Sequence, residues 1–154
     1  MMPPLLHVVL VEPEIAANTG AIGRTCVAAG VTLWLVRPLG FRIDDRNRRR
    51  AGLDYWEHLS WNVVDSLQAA EEAIGHDRLW SFTTKAERIY SSATFSAGDA
   101  LIFGPESRGL PASWLVAQPE HRRLRIPMLP EARSLNLANA AAVAIYEARR
   151  QLGL

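Results

Sequence analysis

At 154 residues, 49% of them apolar, the chain is long enough to bury one core and too short for two independent domains of ordinary size. A formal charge of +1 excludes a uniformly basic body, so a polyanionic partner would have to be held by a local patch. The single cysteine, Cys26, has no partner for an internal disulfide and no Cys or His at metal-ligand spacing, which argues against structural zinc and suits a reducing cytoplasm.

In chain order, MMPPLLHVVLVEPE opens without a basic flank, and its apolar run, interrupted by His7, is too short to span a bilayer. A soluble cytoplasmic protein is expected. The run 5–11 reads as a strand, followed by EPEIAANTGAIGRTC (12–26) and a helix over Thr19–Ala29 capped by Asn18 and stopped by Gly30. Gly20 and Gly23 strip side chains from its first turns, as though something approaches the backbone there. After a strand at 32–36, FRIDDRNRRR (41–50) sets five arginines against two aspartates in a segment without strand or helix pattern. It is a solvated face or a grip for phosphates, and in the second case binding should weaken steeply with salt. A helix over Ser66–Ile74, closed by Gly75, leads to strands at 78–82 and 100–104, a short helix at 112–116, a strand at 123–127 ended by Pro127, and a long C-terminal helix before Gly153.

This alternation predicts an α/β fold with a mainly parallel sheet flanked by helices, in which ligands bind beyond the carboxyl ends of the strands. The loops after Val11, Phe82, Gly104 and Pro127 are therefore the places to look. A dinucleotide-binding protein is disfavoured: the three-glycine spacing is absent, and no acidic residue follows TLWLVRP. FGPESRGLP (103–111) packs two glycines, two prolines, Glu106 and Arg108 into a stiff loop with exposed backbone groups. RIPMLPEARSLNLANA (125–140) delivers Arg133, Ser134, Asn136 and Asn139 to the start of an alanine-rich helix. Ser134 is a plausible cap, whereas Asn136 and Asn139 share a helix face that asparagine does not favour. The cluster is either a polar entrance to a core helix or the wall of a ligand site.

NTGAIGRTC (18–26), LIFGPESRGLP (101–111) and RIPMLPEARSLNLANAAAVAIYEA (125–148), in that order, resemble the three motifs of the SPOUT superfamily of RNA methyltransferases. RRRAGLDYWEHL (48–59) and FTTKA (82–86) place the likeness nearest the minimal bacterial branch that methylates the ribose 2′-hydroxyl of the tRNA wobble nucleotide. The resemblance implies one SPOUT domain over 1–154 with a C-terminal deep trefoil knot, a homodimer packed partly through the last helix, S-adenosylmethionine (SAM) as methyl donor, tRNA as partner, and neither metal nor membrane. It assigns Phe82, Thr83, Gly104, Glu106, Ile126, Met128 and Ser134 to SAM, and Arg24, Ser134 and Asn136 to catalysis. Arg24, Arg48, Arg49, Arg133 and Tyr146 are assigned to RNA. A guanidinium rarely gives up its proton in proteins, so Arg24 is expected to hold a phosphate and stabilise the developing alkoxide. Glu106 either braces its loop or faces the sulfonium. The competing expectations are the same reaction at another tRNA or ribosomal RNA nucleotide, and a non-catalytic RNA-binding module of the same fold.

Overall fold

The structure, a computed structural model, describes residues 4–43 and 54–153. Six strands form one sheet: β1 (Leu6–Val11), β2 (Val31–Val36), β3 (Trp61–Val64), β4 (Leu79–Phe82), β5 (Ala100–Phe103) and β6 (Arg123–Leu124). Their order is β3-β2-β1-β5-β4-β6, and every pairing is parallel. The helices are α1 (Ala16–Ala29), α2 (Leu67–Ile74), α3 (Ala112–Ala117) and α4 (Leu137–Gln151).

The sheet is buried on both faces, which is why its strands read as unbroken apolar runs. Along β1, Leu6, Val8 and Leu10 face a core completed by Ile22, Cys26 and Ala29 of α1 and by Ala141, Ala144, Ile145 and Ala148 of α4. Val9 and Val11 face the other side, with Leu67 and Ala70 of α2 and Trp114 and Leu115 of α3. The alanines of α4 have little to bury apart from backbone proximity, and they let α4 lie close against α1. Arg149 fastens the two by donating from Nη1 to the Ala29 carbonyl at the end of α1, at 2.6 Å. Burial pushes the Cys26 thiol up to about 12, so this cysteine is an inert core residue.

Three expectations change. β3 was not anticipated: WNVV is short, carries Asn62, and sits half-buried at the sheet margin, so its apolar signal is weak. β6 spans two residues instead of five, with Arg125 joined to Ile89 only by an isolated bridge. The arginines of this edge segment and the missing N–H of Pro127 leave little for a longer ladder. Finally, α1 begins at Ala16, so Asn18 lies inside the helix, and the N-cap position is Ile15, whose side chain offers no acceptor. The cap comes from elsewhere in the chain.

What approaches the glycines of α1 is the chain itself. A Cβ on Gly23 would stand 2.9 Å from the Trp56 ring, and the Tyr55 hydroxyl donates to the Gly20 carbonyl. The segment Asp54–His58, a short 3₁₀ turn, thus covers the helix where side chains are missing. All five tryptophans pack within the fold: Trp56, Trp80 and Trp114 are buried, and Trp34 and Trp61 are half-buried against the two cores.

Candidate active site

Beyond the carboxyl ends of β4 and β5 lies a cavity of about 490 Å³. That volume falls in the range of small-molecule sites, about 300–1,000 Å³. Its walls are four chain segments: Phe82–Lys85 after β4, Phe103–Leu110 after β5, Ile126 and Met128 after β6, and Arg133–Leu137 leading into α4. Ile15, at the N-cap of α1, and Asn18, in its first turn, close it. The sheet switches direction of progression at the β1/β5 boundary, so the loops leaving those strands meet over the site.

Glu106 is the pivot of that meeting. Its Oε1 accepts from the backbone N–H of Glu14 and its Oε2 from that of Ile15, both at 2.8 Å, and Oε2 also accepts from Asn18 Nδ2 at 3.2 Å. A carboxylate 91 residues away in sequence therefore caps α1 and complements the positive end of its dipole. The arrangement is reciprocal, since Glu14 accepts from the Ser107 N–H at 2.8 Å and from the Ser107 hydroxyl at 2.7 Å. Asn18 then accepts from Asn136 Nδ2 at 3.1 Å, which ties the β5 loop, α1 and the start of α4 into one polar chain.

Asn136, not Ser134, caps α4: its Oδ1 accepts from the N–H groups of Ala138 and Asn139. Asn139 is exposed on the outer face and takes no part in the cavity wall. Ser134 instead leaves a strained turn. Arg133 has φ 63° and ψ −48°, and the Ser134 N–H donates across it to the Ala132 carbonyl at 2.6 Å, a γ-turn of the rare positive-φ kind. Strain of this sort typically costs about 1–3 kcal/mol and concentrates at functional sites. Phe82 and Phe103, stacked at 4.8 Å, give the cavity an aromatic floor.

All seven residues assigned to the cofactor, Phe82, Thr83, Gly104, Glu106, Ile126, Met128 and Ser134, border this cavity, as do Arg133 and Asn136. Arg24 and Tyr146 do not. Arg24 is exposed on α1, its guanidinium 5.8 Å from the centre of the Tyr55 ring, and Tyr146 lies half-exposed on α4 beside Arg149. Arg48 and Arg49, with most of the 41–50 patch, fall outside the described residues. Among the described residues no three His, Cys, Asp or Glu side chains are grouped to hold a metal ion, and no helix is long and apolar enough to cross a membrane. Sequence reasoning missed the Glu14–Ser107 clamp and the wall position of Lys85. The clamp joins positions 93 apart, and no local pattern in either loop announces a partner at that distance.

The clamp makes a pH prediction. Hydrogen bonds from the Ser107 backbone and hydroxyl hold the Glu14 carboxyl below its ordinary value of 4.5. A depressed folded-state value stabilises the fold above pH 4.5, and this contribution is lost as pH falls through the lower value. Thermal melts of wild type and Ser107→Ala should therefore differ most at neutral pH and converge in acid. A gap that stays constant down to pH 3 would show that the clamp does not couple to Glu14 ionisation.

A parallel sheet ending in a loop-walled cavity, braced by GPES and the RSLN turn, defines the class. The chain belongs to the SpoU rRNA Methylase family, whose model matches residues 5–146. It is 50% identical over 149 residues to a tRNA (cytidine(34)-2′-O)-methyltransferase of Aeromonas hydrophila, covering 97% of this chain and 96% of that protein. To the enzyme of the same name from Escherichia coli K12 it is 48% identical, covering 97% of this chain and 95% of that one. A solved structure described as giving insights into 2-OH methylation of C/U34 on tRNA superposes with a TM-score of 0.89 at 47% identity, covering 99% of both chains. The SpoU methyltransferase AviRb of Streptomyces viridochromogenes, solved with AdoMet, matches with a TM-score of 0.82 at 25% identity, over 99% of this chain and 59% of that one.

Proposed function

We propose that this chain transfers the methyl group of SAM to the ribose 2′-hydroxyl of the wobble nucleotide, cytidine or uridine 34, in the tRNA anticodon loop. The observation that carries the reading is the cavity itself: every residue assigned to the methyl donor lies on its wall, in a chain that matches cytidine-34 methyltransferases along nearly its whole length. The residues also fit the donor chemically. The aromatic pair and Leu110, Ile126 and Leu137 offer apolar contact for a purine ring, the loops offer backbone groups, and Glu106 and Lys85 bring both signs of charge to the rim.

SAM, once bound, supplies a methyl group already activated on sulfur, so the protein's share of the work is alignment and management of one proton. Alignment of this kind can lower a barrier by about 7–11 kcal/mol. Asn136 and Ser134 are placed to position donor and hydroxyl at the mouth of the cavity, with Asn136 held in orientation by Asn18 and by its own capping bonds. Arg24 holds the phosphate next to the target ribose and stabilises the oxygen as it loses its proton. Glu106, with both oxygens engaged by α1, braces the wall.

The same reading includes one domain over the whole chain, a cytoplasmic location, a knotted C-terminal segment and a homodimer. The knotted segment in this reading is the one leading into α4, which packs against α1 and has its cap bonded to Asn18. The dimer is supported by Val143 and Tyr146, three apart on α4 and 40% and 49% exposed. The test is direct. Purified protein incubated with labelled SAM and bulk tRNA should yield 2′-O-methylcytidine or 2′-O-methyluridine at position 34, from a species sedimenting as two chains. Label appearing at a different nucleotide would transfer the assignment to that site, and tRNA binding without label would leave only an RNA-binding module.

A further inference from the structure

β6 closes one edge of the sheet, pairing with β4. Its two residues sit within the run His121-Arg122-Arg123-Leu124-Arg125. Strand alternation places the fully buried Leu124 on the core side, and Arg123 and Arg125 together on the opposite side. Arg88, from the neighbouring segment, is spent inside the protein: Nε and Nη2 donate to Ser92, and Nη1 donates to the His121 carbonyl at 2.7 Å. It acts as a clip that fixes the start of the arginine run. Arg122 lies over the Trp80 ring at 4.2 Å. The indole N–H of Trp80 donates to Asp99, but that carboxylate pairs with Arg78 and leaves Arg122 without an anion.

Three donors in this run, Arg122 Nη1, Arg123 Nε and Arg125 Nε, are shielded from solvent and have no acceptor. Among the described residues, none of the three has a carboxylate partner, whereas Arg37, Arg78, Arg108 and Arg150 do. Buried side-chain donors are normally bonded. Charges on edge strands often serve only to deter pairing with other chains, but here three partly exposed arginines cluster on one edge with no carboxylate paired to them. The edge also adjoins the cavity: Arg125 precedes Ile126, and Lys85 lies three residues before Arg88, with Ile126 and Lys85 both on the cavity wall.

We infer that the β6 edge is a second tRNA-binding surface, on which Arg122, Arg123 and Arg125 hold phosphates of the substrate RNA. The inference rests on the reading of the chain as a tRNA methyltransferase. Each of the three arginines is only partly buried and has no carboxylate to neutralise it, and the guanidinium fork matches phosphate geometry. In a chain with a formal charge of only +1, this run adds a grip distinct from the 41–50 segment.

The test compares wild type with the pair Arg123→Gln/Arg125→Gln, measuring tRNA affinity by anisotropy from 50 to 200 mM salt and SAM affinity by calorimetry. Each lost phosphate contact removes about 0.7–0.9 from the slope of log affinity against log salt, so a drop of about 1.5 is expected. The dissociation constant for tRNA should rise about tenfold at low salt, with SAM affinity retained. Arg123→Lys/Arg125→Lys should recover the slope, because the charges remain. Ultraviolet crosslinking of wild-type protein to tRNA, mapped by mass spectrometry, should place adducts within 121–125 and needs no variant to fold. Wild-type slope and affinity in the glutamine pair, or no adduct in that run, overturns the inference even if position 34 is methylated. A changed sedimentation mass with unchanged tRNA affinity also overturns it, by making the edge a protein interface. Failure of the wild type to bind tRNA removes both this inference and the function on which it rests.

Discussion

Gly104→Ala is expected to abolish SAM binding and to lower stability by about 3 kcal/mol, the upper end of ordinary overpacking costs. A Cβ at Gly104 would stand 2.2 Å from the carbonyl carbon of Gly109 and 2.2 Å from the amide nitrogen of Leu110. These are backbone atoms, which cannot rotate aside as a flexible side chain does. The loop between them is already closed by the Gly109 N–H donating to the Pro105 carbonyl at 2.9 Å, so relief requires moving the Gly109–Leu110 backbone. Leu110 is a buried core residue, and Glu106 inside the same loop caps α1. The displacement would therefore spread into both the core and the cavity wall. For a chain of this size the loss corresponds to a fall in melting temperature of about 10 °C. Gly109→Ala is the matched control: it has φ +70° but open space around the added carbon, so its cost is conformational only, about 1–2 kcal/mol. If Gly104→Ala binds SAM as the wild type does, or costs no more than Gly109→Ala, the pinch between the two ends of the loop is not what shapes the site.

The same loop shows where sequence could be read and where it could not. Most strand and helix positions followed from local patterns: the Ser66 hydroxyl, which accepts from the Ala69 N–H at the start of α2, and the left-handed Gly30 at the end of α1 are signals contained within a few residues. The cavity wall was legible because the fold class sends ligands to strand ends and the motif resemblance named the loops. The roles within it were not. Asn18 looked like a helix cap and is instead the middle of a chain from Glu106 to Asn136. Ser134 looked like the cap of α4, a role filled by Asn136 two residues later. Each error assigned to a neighbour a hydrogen bond that the folded chain supplies from a distant loop or from a residue just along the turn. Gly20 and Gly23 carried a true signal of close approach, but the partner was the chain's own Tyr55 and Trp56. A local pattern records that space is needed and does not record what fills it.

Arg24→Ala should cut methyl transfer by about 10²–10³-fold while leaving SAM affinity essentially unchanged, the range found when one donor to a developing oxyanion is removed. The separation of the two effects follows from position. Arg24 lies six residues beyond Asn18 on α1, about 9 Å farther along the helix axis at 1.5 Å per residue, and it is not on the cavity wall. Among the described residues no carboxylate pairs with it, so its charge is not committed to holding the fold. Its contact is with the face of Tyr55, an exposed cation–π pair worth about 0.5–1 kcal/mol. Truncation therefore opens no cavity and breaks no ion pair, and the melting temperature should barely move. A loss of turnover in a folded, SAM-competent protein then belongs to the RNA side of the reaction. Arg24→Lys refines the point: a lysine keeps the charge but not the planar fork, so partial recovery of kcat indicates charge stabilisation, and none indicates bidentate phosphate geometry. Full activity in Arg24→Ala would remove this residue from the chemistry and direct attention to the groups on the cavity wall, Ser134 and Asn136, for management of the 2′-hydroxyl proton.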